Sequence, residues 1–201
     1  MVVGLHEETK ELYAVSNNDP VGWGATREYD GCNATNHLPE ALVRNTPVEV
    51  LEMKTSMIVE RLELRMDSGG AGTRRGGLGQ QRDLRFTGSG ELISVMKKSK
   101  TRPWALGGGW EPEPNAMVLF PGTDSERRVG TARTPFQPED RASNRTAGGG
   151  GYGEPKAREP ESVLEDVLEG YVSVSSAREV YGVAIRSGVI DWEETERLRA
   201  G

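Results

Sequence analysis

Apolar and polar positions alternate with a period of two over 58–66. Ile58, Leu62, Leu64 and Met66 share one parity, and Arg61, Glu63 and Arg65 take the other. That alternation predicts a half-buried strand, with Glu60 interrupting its apolar face. The pattern returns at 80–86, where Leu84 and Phe86 stand against Asp83 and Arg85. Gly88-Ser89-Gly90 supplies a turn and 92–96 resumes the run, which together predict a hairpin. The short apolar run 116–120, closed by Pro121-Gly122, reads as a buried strand. Segment 47–52 fits either a strand or a first helical turn.

After Pro160 the period becomes helical. Val163, Leu164, Val167 and Leu168 follow a proline suited to a helix start, and Gly170 supplies a stop. Ser175 is placed to cap a second helix running through Ala177, Val180 and Tyr181 to Gly182. Asp191, with Glu194 three residues on, is a capping box opening a last helix over 192–200. The expected fold is α+β, one domain overall. A β-rich region covers 1–135, a Gly/Arg-rich loop 136–160 and a helical C-terminal region 161–201. The middle stretch is too long for an ordinary connection.

Composition alters this picture in one respect. Apolar residues are 35% of the 201, against about 45–50% in a typical soluble domain with Gly counted. The core is thin for a free-standing domain. Over half of the 26 glycines fall in three clusters, at 69–79, 107–109 and 148–153. These read as structured turns, because glycine alone reaches positive φ without steric cost. A balance of 25 basic to 31 acidic residues argues against wrapping nucleic acid, which needs a positive field to release phosphate counterions. No apolar run has membrane-spanning length. Residues 1–4 show neither a basic nor an apolar leader region, so no secretory signal is expected. The single Cys32 excludes an internal disulfide framework and suits a reducing compartment, so a cytoplasmic protein is expected.

The candidate chemistry is sparse. A glycine-rich segment with Arg74 and Arg75 is able to cradle an anion, but it lacks a P-loop pattern and leads into a strand. His6 and His37 have no ligand spacing and Cys32 has no partner, so no metal site is expected on this chain. Trp104 and Trp110 bracket Gly107-Gly108-Gly109, where rings either pack over a bare glycine turn or stack on a ligand. Arg141 and Arg145 precede four glycines and Tyr152, a grouping suited to a carboxylate or to a partner's acidic patch.

Several motifs occur in order: Arg44-Asn45-Thr46-Pro47-Val48-Glu49, Asp67-Ser68-Gly69-Gly70-Ala71-Gly72 and Arg75-Gly76-Gly77-Leu78-Gly79. Thr146-Ala147-Gly148-Gly149-Gly150-Gly151-Tyr152-Gly153 and Asp166-Val167-Leu168-Glu169-Gly170-Tyr171 follow. Together they resemble the C-terminal portion of the hydantoinase B/oxoprolinase family, whose members are well over twice as long. The resemblance implies a hetero-oligomer with a hydantoinase A-type subunit, which carries ATP and Mg, and with an N-terminal B-type chain, where any metal would sit. It implies ATP-dependent hydrolysis of a small cyclic amide such as a hydantoin, 5-oxoproline or a lactam. The alternatives are a ketone carboxylase subunit and a non-catalytic scaffold. The resemblance places Arg44, Asn45, Arg141, Arg145, Gly149, Gly150 and Tyr152 near substrate or subunit contacts. It implies no activity for the chain alone and identifies no catalytic residue.

Overall fold

The computed structural model describes residues 1–16, 18–36 and 45–200. Arg44 and His37 lie outside the described residues. The chain opens with an antiparallel hairpin of β1 (Val2–Leu5) and β2 (Leu12–Val15). His6 turns this hairpin by accepting the Glu8 and Thr9 N–H groups on Nδ1, at 3.3 and 3.2 Å. Of segment 47–52, residues 48–52 are helical, within α1 (Val48–Lys54), and Pro47 stands at its N-cap position.

Seven strands follow: β3 (Met57–Leu64), β4 (Gln80–Phe86), β5 (Gly90–Ser94), β6 (Ala116–Leu119), β7 (Arg127–Val129), β8 (Ala132–Phe136) and β9 (Arg141–Arg145). They build a four-stranded sheet, β2-β1-β5-β8, and a five-stranded sheet, β3-β4-β9-β6-β7, both antiparallel. Their shared core includes Met57, Leu84, Phe86, Leu92, Leu119 and Phe136. Phe86 on β4 stacks on Phe136 on β8 at 3.7 Å between ring centroids, joining the two sheets.

Two strand expectations are corrected. β4 and β5 do not form a hairpin. The turn at Gly88 carries the chain from one sheet to the other, so that Phe86 and Leu92 both face the shared core. The apolar parity of β3 also differs from expectation. A register shift between Val59 and Arg61 absorbs Glu60 as the extra residue of a bulge. Leu62 and Leu64 therefore share a side with Met57 and Val59, while Ile58 lies on the other. The polar stretch after Phe136 is no continuous loop either, since β9 within it is a central strand.

The last quarter holds α2 (Pro160–Leu168), α3 (Val174–Glu179), a small hairpin of β10 (Ile185–Arg186) and β11 (Val189–Ile190), and α4 (Trp192–Ala200). Gly170 closes α2 with φ +73°, as its position predicts. The cap of α3 is Ser173, whose Oγ accepts the Ser176 N–H at 3.1 Å; Ser175, expected as the cap, lies inside the helix. Only half of the capping box at α4 forms. Asp191 accepts the Glu194 N–H at 3.1 Å, but the Glu194 carboxylate turns to Arg178 and Arg197. A second core gathers Val163, Val172, Ala177, Tyr181, Val183 and Ile185. Fully burying one such residue as Val163 is worth about 1.5–3 kcal/mol. Sheets, helices and their separate cores make the fold α+β, with a helical C-terminal region. No helix among the described residues is long and apolar enough to cross a membrane.

Candidate functional site

The glycine clusters come together. Extended segments around 21–25, 31–33, 69–77, 104–110 and 147–153 hydrogen-bond backbone to backbone: Gly77 N–H to Trp23, Gly149 N–H to Gly77, Gly70 N–H to Gly149, and Gly151 N–H to Trp110, all within 3.1 Å. Of the clustered glycines, only Gly107, Gly108 and Gly153 have positive φ. The expectation of turns is therefore largely replaced by close packing. A Cβ on Gly149 would stand 1.8 Å from the Trp23 carbonyl oxygen, inside any possible contact. Backbones lie against backbones here, as they do at the glycine axis of collagen.

This bundle forms the floor of a cleft of about 350 Å³. Gly148, Gly149 and Gly150 lie beneath, Val21 and Gly22 on one side, and Trp104 with Lys98 on another. Trp104 is 71% exposed, and the Lys98 ammonium sits 5.7 Å from its ring centroid in a cation–π contact. Asn115 ties the wall to the floor. Its Nδ2 donates to the Lys97 carbonyl at 2.8 Å, and its Oδ1 accepts the Ala147 N–H at 2.7 Å. A flat aromatic wall, a smooth backbone floor and one cation at the rim suit a small planar ring bearing a polar or anionic edge.

Beside the cleft, the bundle is fastened to the helices by a buried ionic cluster. Arg158 holds Asp30 with both terminal nitrogens, each at 2.8 Å, and pairs with Asp166 at 2.9 Å. Arg75 reaches Asp166 through Nε at 3.1 Å, stacks on Tyr171, and donates its own backbone N–H to Asp30 at 2.7 Å. Burial lifts the Asp166 carboxyl above its ordinary range despite the pull of Arg75 and Arg158. Burial also acts upward on Asp30, but the Arg158 hydrogen bonds and charge outweigh it, and Asp30 lies below its ordinary range.

The expected site residues are thereby separated. Gly149 and Gly150 line the cleft. Arg145 sits at the end of β9 beside the cleft wall, its Nε donating to Ser143 Oγ at 3.2 Å. Asn45 donates to Gln80 Oε1 at 3.5 Å, and Gln80 donates to Asp19, which pairs with the buried Arg82. Thr146 Oγ1, bonded to the Pro20 carbonyl, links that polar group to the cleft. Arg141 stands at the far end of β9, about 13 Å from Arg145 along the strand, and pairs with Glu60. Tyr152 packs its ring over Gly107, away from the cleft lining, while its backbone bridges Arg74 and Leu106.

The glycine-rich segment after β3 does not suit nucleotide phosphate. Arg75 is committed inward to Asp166, and the Gly70, Gly76 and Gly77 N–H groups are spent on neighbouring carbonyls. Among the described residues, no three His, Cys, Asp or Glu side chains are grouped to hold a metal ion. Lys98 and Asn115 carry no signal in their spacing. Only folding brings 97–98 and 115 against 147–150.

A two-sheet α+β module with a glycine bundle and a small cleft defines the class of protein. The hydantoinase B/oxoprolinase family model matches residues 1–155, and the chain belongs to that family. It is 32% identical to the B component of a putative D-/L-hydantoinase from Pseudomonas sp. (strain NS671) over 98% of this chain and 34% of that one. It is 28% identical to the acetone carboxylase alpha subunit of Xanthobacter autotrophicus over 92% of this chain and 29% of that protein. The crystal structure of the ATP-dependent caprolactamase from Pseudomonas jessenii superposes with a TM-score of 0.84 and 28% identity, covering 100% of this chain and 36% of that chain. The chain thus spans about a third of the length of the relatives it matches.

Proposed function

We propose that the chain is the C-terminal third of a B-type subunit in an ATP-dependent amidohydrolase that opens a cyclic amide, of the hydantoin, 5-oxoproline or lactam kind. Its partners in this reading are a hydantoinase A-type subunit and an N-terminal B-type chain. The observation that carries the reading is the match to a hydantoinase B component along 98% of the chain. ATP, held by the A-type subunit, supplies activation of the amide oxygen. This chain's share is to bind and orient. The ring lies on Trp104, the Gly148-Gly149-Gly150 backbone excludes water from its other face, and Lys98 attracts its polar edge. The cleft volume of about 350 Å³ falls in the range of small-molecule sites.

The test is co-expression of the three chains and measurement of ATP hydrolysis with hydantoin, 5-oxoproline or caprolactam. Turnover that depends on one of these, with release of its ring-opened acid, is the expected result; none with any of them refutes the reading. A second reading, an ATP-dependent ketone carboxylase, is favoured by the acetone carboxylase match, and bicarbonate-dependent turnover with a ketone would establish it. Trp104→Ala is expected to lower kcat/KM by about tenfold, the worth of one aromatic stack. Its melting temperature should not move, because the ring is mostly exposed. Arg141→Ala is expected to leave turnover unchanged, because Arg141 pairs with Glu60 away from the cleft. A tenfold loss there instead would move the site to β9.

A further inference from the structure

Leu62 and Leu64 share a side of β3 with the buried Met57, yet they are 42% and 37% exposed. Met66, 51% exposed, continues the line and brings its Cε to 4.0 Å from where a Cβ on Gly170 would stand. Leu168, 65% exposed, lies 3.9 Å from the equivalent point on Gly188, next to the exposed Val189. A strip of large apolar side chains therefore runs from the five-stranded sheet onto the helical region. Beside it, among the described residues, β3 hydrogen-bonds to β4 alone. Glu52 covers the start of the open edge by accepting the Val59 N–H at 2.9 Å. The charged residues Arg61 and Glu63 pair with each other, and Arg61 also pairs with Asp83, on the opposite face. Single exposed leucines are ordinary, but a line of large apolar side chains beside a strand edge that is open beyond Val59 marks an interface.

We propose that this strip and the β3 edge seat the N-terminal portion of a B-type polypeptide, which adds a strand alongside Arg61-Leu62-Glu63-Leu64 and covers Met66 and Leu168. The inference rests on the reading of the chain as the C-terminal third of such a subunit. The whole chain superposes on 36% of the caprolactamase chain, so about two thirds of a B-type polypeptide has to pack against or beside this module. A strip that reaches from the five-stranded sheet to the helical region offers that much chain a seat, and the open edge offers it backbone hydrogen bonds.

The full chain is mixed with an N-terminal B-type chain encoded in the same genome. Co-elution is expected, with slowed amide exchange at residues 61–64. The L62K/L64K variant should bind about tenfold more weakly or worse, and so should Leu168→Lys, which lies at the end of α2, outside the sheet, and serves if the sheet variant folds poorly. A complex in which 61–64 exchange freely and both variants bind like wild type overturns the docking site but leaves the subunit reading standing. No complex with the wild-type chain overturns both. Self-association abolished by L62K/L64K overturns the proposal in favour of a second copy of this chain.

Discussion

Gly149→Ala is expected to destabilise the protein by about 4 kcal/mol, a large share of the stability of an ordinary domain. The added methyl would meet the Trp23 carbonyl oxygen at 1.8 Å and its carbon at 2.0 Å. Both are backbone atoms, so no rotamer change relieves the clash. Trp23 cannot retreat freely, because its carbonyl also accepts the Gly77 N–H and its own N–H donates to Cys32. Interiors packed to crystal density transmit such a shift rather than absorb it. Gly24→Ala is the control from the same bundle. Its Cβ would meet only the Gly150 carbonyl oxygen, at an ordinary 3.8 Å, so the change should be neutral or stabilise by about 0.4–1 kcal/mol. Gly122→Ala separates steric from dihedral cost. Nothing lies within 4 Å there but φ is +77°, and a loss of about 1–2 kcal/mol is expected. Urea unfolding of the three variants checks the order. Equal midpoints for Gly149→Ala and Gly24→Ala would show that the bundle does not depend on backbone contact.

What is legible in the sequence follows from how local each signal is. Pro160 and Gly170 bound α2 as expected, because a helix start and an αL stop are set by the residues that carry them. The fate of β4 and β5 is not local. A glycine turn specifies a reversal of the chain but not which sheet receives the next strand, and the stacking of Phe86 on Phe136 decides that at long range. The bulge at Glu60 is equally hidden. It turns one mismatched residue into a change of parity, so the alternation reveals a strand while misplacing its buried side. β9 gives no apolar signal, because Ser143, Asn144 and Arg145 are polar in a central strand. Their partners, such as Asp19 on Asn144, are distant in sequence. At the cleft, Gly149, Gly150 and Trp104 are visible as composition. Lys98 and Asn115 acquire a role only through the hydrogen bonds that draw 97–98 and 115 onto the glycine floor.

Arg158→Met is expected to cost about 3–5 kcal/mol, because it breaks a buried ionic cluster from one side. Methionine keeps the apolar stem, so the loss reports the charge. Asp166, 5% exposed, would keep only Arg75, and Asp30 would lose two hydrogen bonds of 2.8 Å. The change also severs the bundle from the helices, because Asp30 lies beside the glycine segments and Asp166 on α2. The pH dependence distinguishes this from a packing defect. Without Arg158, the Asp166 carboxyl rises further, and a group whose folded pKa exceeds its unfolded value loses stability as pH rises through that window. The variant therefore recovers stability as pH falls from neutral toward the ordinary carboxylate value of 3.8. Wild-type Asp30 has the opposite sign. Its folded pKa is depressed, so its contribution is complete above 3.8 and is lost as pH falls below that. Both effects narrow the gap between wild type and variant on acidification. Asp166→Asn in the Arg158→Met background should restore about 0.5–3 kcal/mol at neutral pH, since a neutral amide is cheaper to bury than a half-paired carboxylate. A gap constant from pH 7 to pH 4, measured by urea unfolding, would show that the Asp166 carboxyl does not rise in the variant and would assign that part of the loss to packing.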